Sequence, residues 1–146
     1  MRIAAWMKHP VVTVKPRDSA QHARQVMEKH RINQLPVVSE GRLVGIVTDR
    51  DLRDAFPSVF ESAPVFKVER ARHATDPAAI PVEDVMAHDV LSLAPSAFLA
   101  DAARLMRRER IGAIPIVDGE RLVGILTRSD VLDAFVELSQ QALTSG

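Results

Sequence analysis

Two stretches of the chain carry the same succession of hydrophobic patterns. Short apolar or β-branched runs come first, at residues 11–14 and 90–93, each closed by a proline, Pro16 or Pro95. Apolar positions then recur at helical spacing: Ala20, Ala23, Val26 and Met27 in one stretch, and Leu99, Ala102, Ala103, Leu105 and Met106 in the other. Asp18 and Ser96 are placed to cap these helices. Residues 35–38 and 114–117 are continuous apolar runs that predict buried strands, each with a proline near its start. Glu40-Gly41 and Asp118-Gly119 predict tight turns into returning strands at 43–47 and 122–126. Thr48 and Thr127 open a second helix, which ends near Phe56 in the first stretch and runs further in the second. Each stretch reads β-α-β-β-α.

The two patterns are one sequence used twice. Residues 7–56 recur without a gap as residues 86–135, and both copies close on Arg-Leu-Val-Gly-Ile-hydrophobic-Thr-x-x-Asp. A gap-free repeat means one supersecondary unit duplicated. The domain reading is therefore repeat 1 at 1–56, a connection at 57–81, and repeat 2 with a C-terminal helix at 82–146. A repeat of this size is near the lower limit for folding alone, so the halves are expected to pack on each other. The connection has four prolines and no sustained periodicity, which predicts a solvated linker longer than most loops. Its Lys67, Arg70, Arg72 and His73 offer the alternative of a basic flap over a ligand's phosphates.

Composition narrows the function classes. The 146 residues are 47% apolar, enough for a real core, and 19 basic residues balance 19 acidic ones. Without a positive excess, a sequence-independent grip on nucleic acid is not expected. The absence of cysteine excludes disulfides, thiolate catalysis and cysteine–zinc sites. The apolar run at residues 3–7 is too short for a secretory signal, and no stretch approaches the length of a membrane span. A cytoplasmic protein is the expectation.

The candidate chemistry lies in the closing phrase. Thr48 and Asp51, and again Thr127 and Asp130, sit at a strand's end and one helical turn later. Thr-x-x-Asp is close to a capping box, in which hydroxyl and carboxylate satisfy the helix's free amides. The same groups suit a bound phosphate and a ribose diol. The motif alone leaves both readings open. His9 and His88 match between repeats, but neither Lys8 nor Ala87 beside them supplies a metal ligand, and solvent-facing histidines are expected; His22, His30 and His73 share no spacing. Trp6 and Met7, with Val85 and Met86, are expected to anchor the segments leading into each repeat. In the last helix Val131, Leu132, Phe135, Val136 and Leu138 form a stripe wider than a cap requires, suited to dimerisation or to packing within the chain.

The duplicated β-α-β-β-α unit, with its strand-borne proline, glycine-turned hairpin and terminal Gly-h-h-Thr-x-x-Asp, resembles the CBS domain family. Two tandem copies with no other domain resemble a stand-alone CBS pair, or Bateman module, similar to the acetoin-utilisation AcuB-like group. The resemblance implies an α/β (α+β) fold of two repeats packed through their sheets with pseudo-two-fold symmetry. It also implies adenosine-containing ligands (AMP, ADP, ATP or S-adenosylmethionine) in clefts between the repeats. On that resemblance Thr48 and Asp51 serve one site, and Thr127 and Asp130 the other. Val11, Ile32 and Ile46, then Val90, Ile111 and Ile125, would sandwich the base within each repeat. Positions before the strand proline often face phosphate in the family, and here they are Asn33-Gln34 and Gly112-Ala113, with no cation. Arg50 is the candidate for charge pairing and is matched by Ser129, so the first site is expected to favour the more charged ligand. Arg31 and Arg110 are expected to cover helix ends as solvated cations.

The function that follows is a regulatory, energy-sensing module, AMP-binding or ATP-binding, that changes shape or association when its ligand binds. No resident cofactor is required on this reading. A homodimeric disc and a regulated protein partner are expected; nucleic acid and membrane are not. The alternative is a ligand-independent scaffold or regulatory subunit of an enzyme or transporter. No serine–histidine–acid set, metal cluster or Walker-type loop is visible in the sequence, so catalysis is not expected.

Overall fold

The computed structural model describes residues 1–57 and 76–145. The basic flap considered for Lys67, Arg70, Arg72 and His73 lies outside the described residues. In chain order the elements are α1 (Ala20–His30), β1 (Gln34–Ser39), β2 (Arg42–Thr48) and α2 (Asp49–Ala55). They are followed by α3 (Leu99–Glu109), β3 (Ala113–Asp118), β4 (Arg121–Thr127) and α4 (Arg128–Ser145). Single 3-10 turns, Ile3–Ala5 and Val82–Asp84, precede the two repeats.

The hairpins form as their sequences dictate. Val37 pairs with Gly45 and Val38 with Leu43, so Val44 is an extra, bulged residue; Ile116, Gly124, Val117 and Leu122 repeat this with Val123 as the bulge. Glu40 and Gly41 both take positive φ, 53° and 81°, as a type I′ turn requires. The second turn sits one residue later than expected, at Gly119-Glu120, with only Gly119 at positive φ (65°), the pattern of a II′ turn.

Two expectations are corrected. The short runs at 11–14 and 90–93 are not strands; each makes one isolated parallel bridge, Val14 to Val37 and Leu93 to Ile116. The helix caps also fall later. Ser19, not Asp18, caps α1, its Oγ accepting from His22 N at 3.0 Å, while Asp18 Oδ2 takes Lys15 N at 2.8 Å in the preceding turn. Phe98, not Ser96, precedes α3, where Asp101 Oδ2 accepts the Phe98 N–H at 3.3 Å. The Arg2 guanidinium lies 4.2 Å from the Phe98 ring centroid, a cation–π contact. Arg31 and Arg110 end α1 and α3 in the left-handed conformation (φ 54° and 55°) with exposed side chains, as solvated C-caps.

Two compact units result, and they cut across the repeats. One is the continuous stretch Val12–Val90; the other joins Met1–Val11 to Leu91–Gly146. Backbone hydrogen bonds show why. In the continuous unit Ala20 N donates to Ile80 O (2.8 Å) and Val82 N to Asp18 O (2.7 Å). In the other unit the matched bonds run from Leu99 N to Met1 O (3.0 Å) and from Ile3 N to Ala97 O (2.9 Å). The segment leading into each repeat thus supplies a carbonyl to the first amide of the other repeat's helix, one of the donors a helix cannot satisfy itself. Val82 and Ile3 are fully buried in these junctions. The core of the continuous unit is built on Met27, Leu35, Val37, Val47 and Leu52, and that of the other on Met106, Ile114, Ile116 and Leu126.

Candidate functional site

In the continuous unit the last residue of β2, Thr48, meets the first turn of α2. Thr48 N donates to Asp51 Oδ2 (2.9 Å) and Asp51 N donates to Thr48 Oγ1 (3.0 Å), a reciprocal capping box. The first helical amide, Asp49 N, donates to Asn33 O at 2.8 Å. These bonds use only one oxygen of Asp51. Asp51 Oδ1 and the Thr48 hydroxyl proton have no partner among the described residues, and the Arg50 N–H is left out of the capping bonds. An acceptor, a hydroxyl donor and an amide donor at one helix start match a ribose diol and a phosphate.

The other unit repeats the frame and closes it further. Thr127 N donates to Asp130 Oδ2 (2.7 Å), Asp130 N to Thr127 Oγ1 (3.3 Å), and Arg128 N to Gly112 O (3.0 Å). Here the Thr127 hydroxyl also donates to Asp130 Oδ2, at 2.9 Å. Asp130 Oδ1 receives Lys8 Nζ at 2.8 Å. Asp130 is the one charged residue of the described chain that is buried.

The lead-in segments form the wall beside each box. Ala87 and Ile46 exchange both backbone bonds (2.8 and 3.0 Å), and Lys8 and Ile125 do the same (2.8 and 3.0 Å). The glycine of the repeated phrase permits this approach. A Cβ on Gly45 would overlap Met86 Sδ and stand 2.9 Å from Ala87 O; on Gly124 it would stand 2.9 Å from Met7 Cγ and 3.2 Å from Lys8 O. Met7 and Met86 do anchor their segments on these strands, while Trp6 and Val85 pack half-buried on the cores.

The other candidate residues divide as follows. Gln34 pairs with Thr48, and Ala113 with Thr127, so both border the boxes; Ala113 is buried and offers no exposed side chain. Ile32 and Ile111 are half-buried against the cores. Ile46 and Ile125 are half-buried beside the fully buried Val47 and Leu126, and they stand outside both core clusters. Val11 and Val90 change sides. Val11 belongs to the unit holding Thr127 and Asp130, three residues beyond Lys8, and Val90 to the unit holding Thr48 and Asp51. Each valine is thus grouped with the unit that holds the other repeat's box.

The charge pattern adds a cation not expected at either box. Arg50 is exposed and makes no ion pair among the described residues, whereas neighbouring Asp49 is held by Arg24 and by Arg53 (3.5 Å). The cation that reaches a box is Lys8, in the second site. Sequence reasoning misses it because its partner Asp130 is remote in sequence; the available signal is the mismatch of Lys8 with Ala87 at an otherwise matched position. His9 and His88 are exposed, and no metal-binding cluster occurs among the described residues. Among the described residues no helix is long and apolar enough to cross a membrane.

Duplicated hairpin-and-helix units, each ending in a Thr/Asp box, are the repeating pattern of a single domain family. The CBS domain family profile matches residues 3–68 and 82–137, and the chain belongs to the CBS domain family. It is 33% identical over 125 residues to the CBS domain-containing protein YhcV of Bacillus subtilis, covering 86% of this chain and 79% of YhcV. The crystal structure of a Vibrio cholerae protein assigned to acetoin utilization (AcuB) superposes with a TM-score of 0.79 at 28% identity, covering 100% of this chain and 98% of that one. CBSX2, solved in complex with AMP, gives a TM-score of 0.76 at 28% identity over 93% of this chain and 97% of that chain. Three other relatives are longer proteins of which this chain spans 23%, 34% and 45%.

Proposed function

We propose that this protein is a regulatory CBS pair that binds an adenine nucleotide or related adenosyl ligand beside Thr48/Asp51 and Thr127/Asp130, and that the bound ligand changes its conformation or association. The observation that carries the reading is the Thr48/Asp51 box. Capping consumes Asp51 Oδ2 and leaves Oδ1 and a hydroxyl proton available beside half-buried Ile46. These are the groups a ligand's diol and phosphate can use without breaking the cap. The AMP complex of CBSX2 supports the choice of ligand class. Ile46 and Ile125 supply apolar surface for the base, and Arg50 is positioned in the first turn to meet phosphate. Binding shifts the protein between states only by the ligand's difference in affinity for them.

Thermal melts with AMP, ADP, ATP, NAD and S-adenosylmethionine test this directly. A ligand at a hundred times its Kd stabilises by about 2.7 kcal/mol, a rise in Tm of roughly 5–10 °C for a chain of this size. No rise with any of the five overturns the adenosyl reading.

We propose further that the module is a homodimer closed by the C-terminal helix. Leu132, Phe135, Val136, Leu138 and Leu143 of α4 are each more than half exposed, and Phe135 and Leu138 border an apolar groove of about 380 Å³ with Met1 and Phe98. A contiguous apolar face of this kind marks an interaction surface, and a second copy of the same helix offers the matching face. Leu132→Glu with Phe135→Glu is expected to convert a dimer to a monomer in sedimentation velocity while leaving the melting curve of the monomer cooperative. A wild type that sediments as a monomer overturns the proposal.

A further inference from the structure

We propose that Lys8 is a built-in competitor for the Thr127/Asp130 site: its ammonium occupies the oxygen a ribose needs, so an adenosyl ligand fills the Thr48/Asp51 site first. The inference rests on the adenosyl reading above.

The two boxes differ in what the protein already satisfies. Both inner carboxylate oxygens are used by the cap. In the second box the outer oxygen is used as well, by Lys8 Nζ at 2.8 Å, and the threonine's proton is committed to Asp130. The Asp130 side chain is only 6% exposed, so a ligand must take Oδ1 from the ammonium rather than share a solvated carboxylate. Charge-assisted hydrogen bonds are the strong ones, and a bond to a nearly buried acceptor is the harder to displace.

The backbone fixes Lys8 in that place. Its N–H and carbonyl both bond to Ile125, and Gly124 clears the space for the approach. At the matched position, with the same pair of bonds to Ile46, stands Ala87, whose methyl has no proton to donate to Asp51. The lysine side chain is 61% exposed, so its ammonium remains solvated and free to leave. The contact is thus a latch that ligand opens, not a permanent block. The pair of sites gains two affinity ranges from one substitution.

Calorimetry on the full chain with AMP and with adenosine tests this, using Asp51→Asn to isolate the second site and Asp130→Asn to isolate the first. In the Asp51→Asn background, Lys8→Met is expected to tighten both ligands about ten-fold, the order expected of one charge-assisted bond partly screened by solvent. In the Asp130→Asn background, Ala87→Lys is expected to weaken both by about the same factor. Unchanged affinity in both tests overturns the inference, as does a Lys8→Met variant that loses AMP but not adenosine, since the ammonium would then be gripping phosphate. Should Lys8→Met fail to fold, Ala87→Lys decides alone. Failure of AMP and adenosine to bind any form, wild type included, overturns the adenosyl reading and this inference together; binding that ignores both lysine changes overturns this inference only.

Discussion

With alanine at both Asp51 and Asp130, AMP affinity is expected to fall about 10- to 150-fold, because each ligand loses a charge-assisted acceptor worth on the order of 1.5–3 kcal/mol. The fold is expected to survive. Each substitution also removes half of a capping box, a loss of about 1 kcal/mol per helix start, or roughly 2–4 °C in Tm for each. The Asn33 and Gly112 carbonyls still hold the first helical amides. The Asp130 change releases Lys8 as well, but that side chain is largely exposed and returns to water. Calorimetry and circular dichroism together separate the two roles. Lost binding with retained ellipticity supports a ligand role for the carboxylates, whereas a variant that unfolds at ambient temperature assigns them to capping alone.

The second large effect concerns Gly45. Valine there is expected to destabilise the protein by about 1–3 kcal/mol or more, the range for overpacking a filled space. A Cβ alone would meet the Ala87 carbonyl at 2.9 Å, and the backbone of Ala87, held to Ile46 through both its N–H and its carbonyl, cannot step aside as a side chain can. Chemical denaturation should show a lowered midpoint. Gly124→Ala is the milder companion, since its contacts are the flexible Met7 side chain and Lys8 O at 3.2 Å. It is expected to lift Lys8 away from Asp130 more than it unfolds the chain. A Gly45→Val protein as stable as wild type would show that the lead-in segment does not lie on β2 in solution.

Most of the regular structure is legible in the sequence because its signals are local. The strand prolines, the Gly-marked hairpins and the helical spacing of Ala20, Ala23 and Met27 each specify an element within a few residues of themselves, and Thr-x-x-Asp announces both boxes. The family is legible from the same phrase. What escapes is everything that depends on the exchange of lead-in segments. Residues 11–14 look like a strand because they are apolar and β-branched, yet only Val14 finds a bridge. Ser96 looks like a cap, but the first amide of α3 takes its acceptor from Met1, and Asp101 closes the turn behind it. Val11 and Val90 each fall in the compact unit of the other repeat, which a repeat cannot announce, since it shows only which positions are equivalent. Lys8 is invisible for the same reason: an ion pair between distant positions has no spacing to read.

The placement of residues 1–11 with the second repeat also sets an order of events during synthesis. The continuous unit, Val12–Val90, is complete as soon as Val90 has left the ribosome, and domains fold as units from the N-terminal side. The unit holding Asp130 must wait. Its first segment is made first, stays without partners while an entire neighbouring unit is built, and is claimed only when residues 95–99 arrive to receive Met1 and Ile3. Closing so wide a loop is the slow kind of contact. Nascent chains stalled once Val90 has emerged from the ribosome should therefore already hold the Thr48/Asp51 box, while the Lys8 latch is among the last contacts the protein makes.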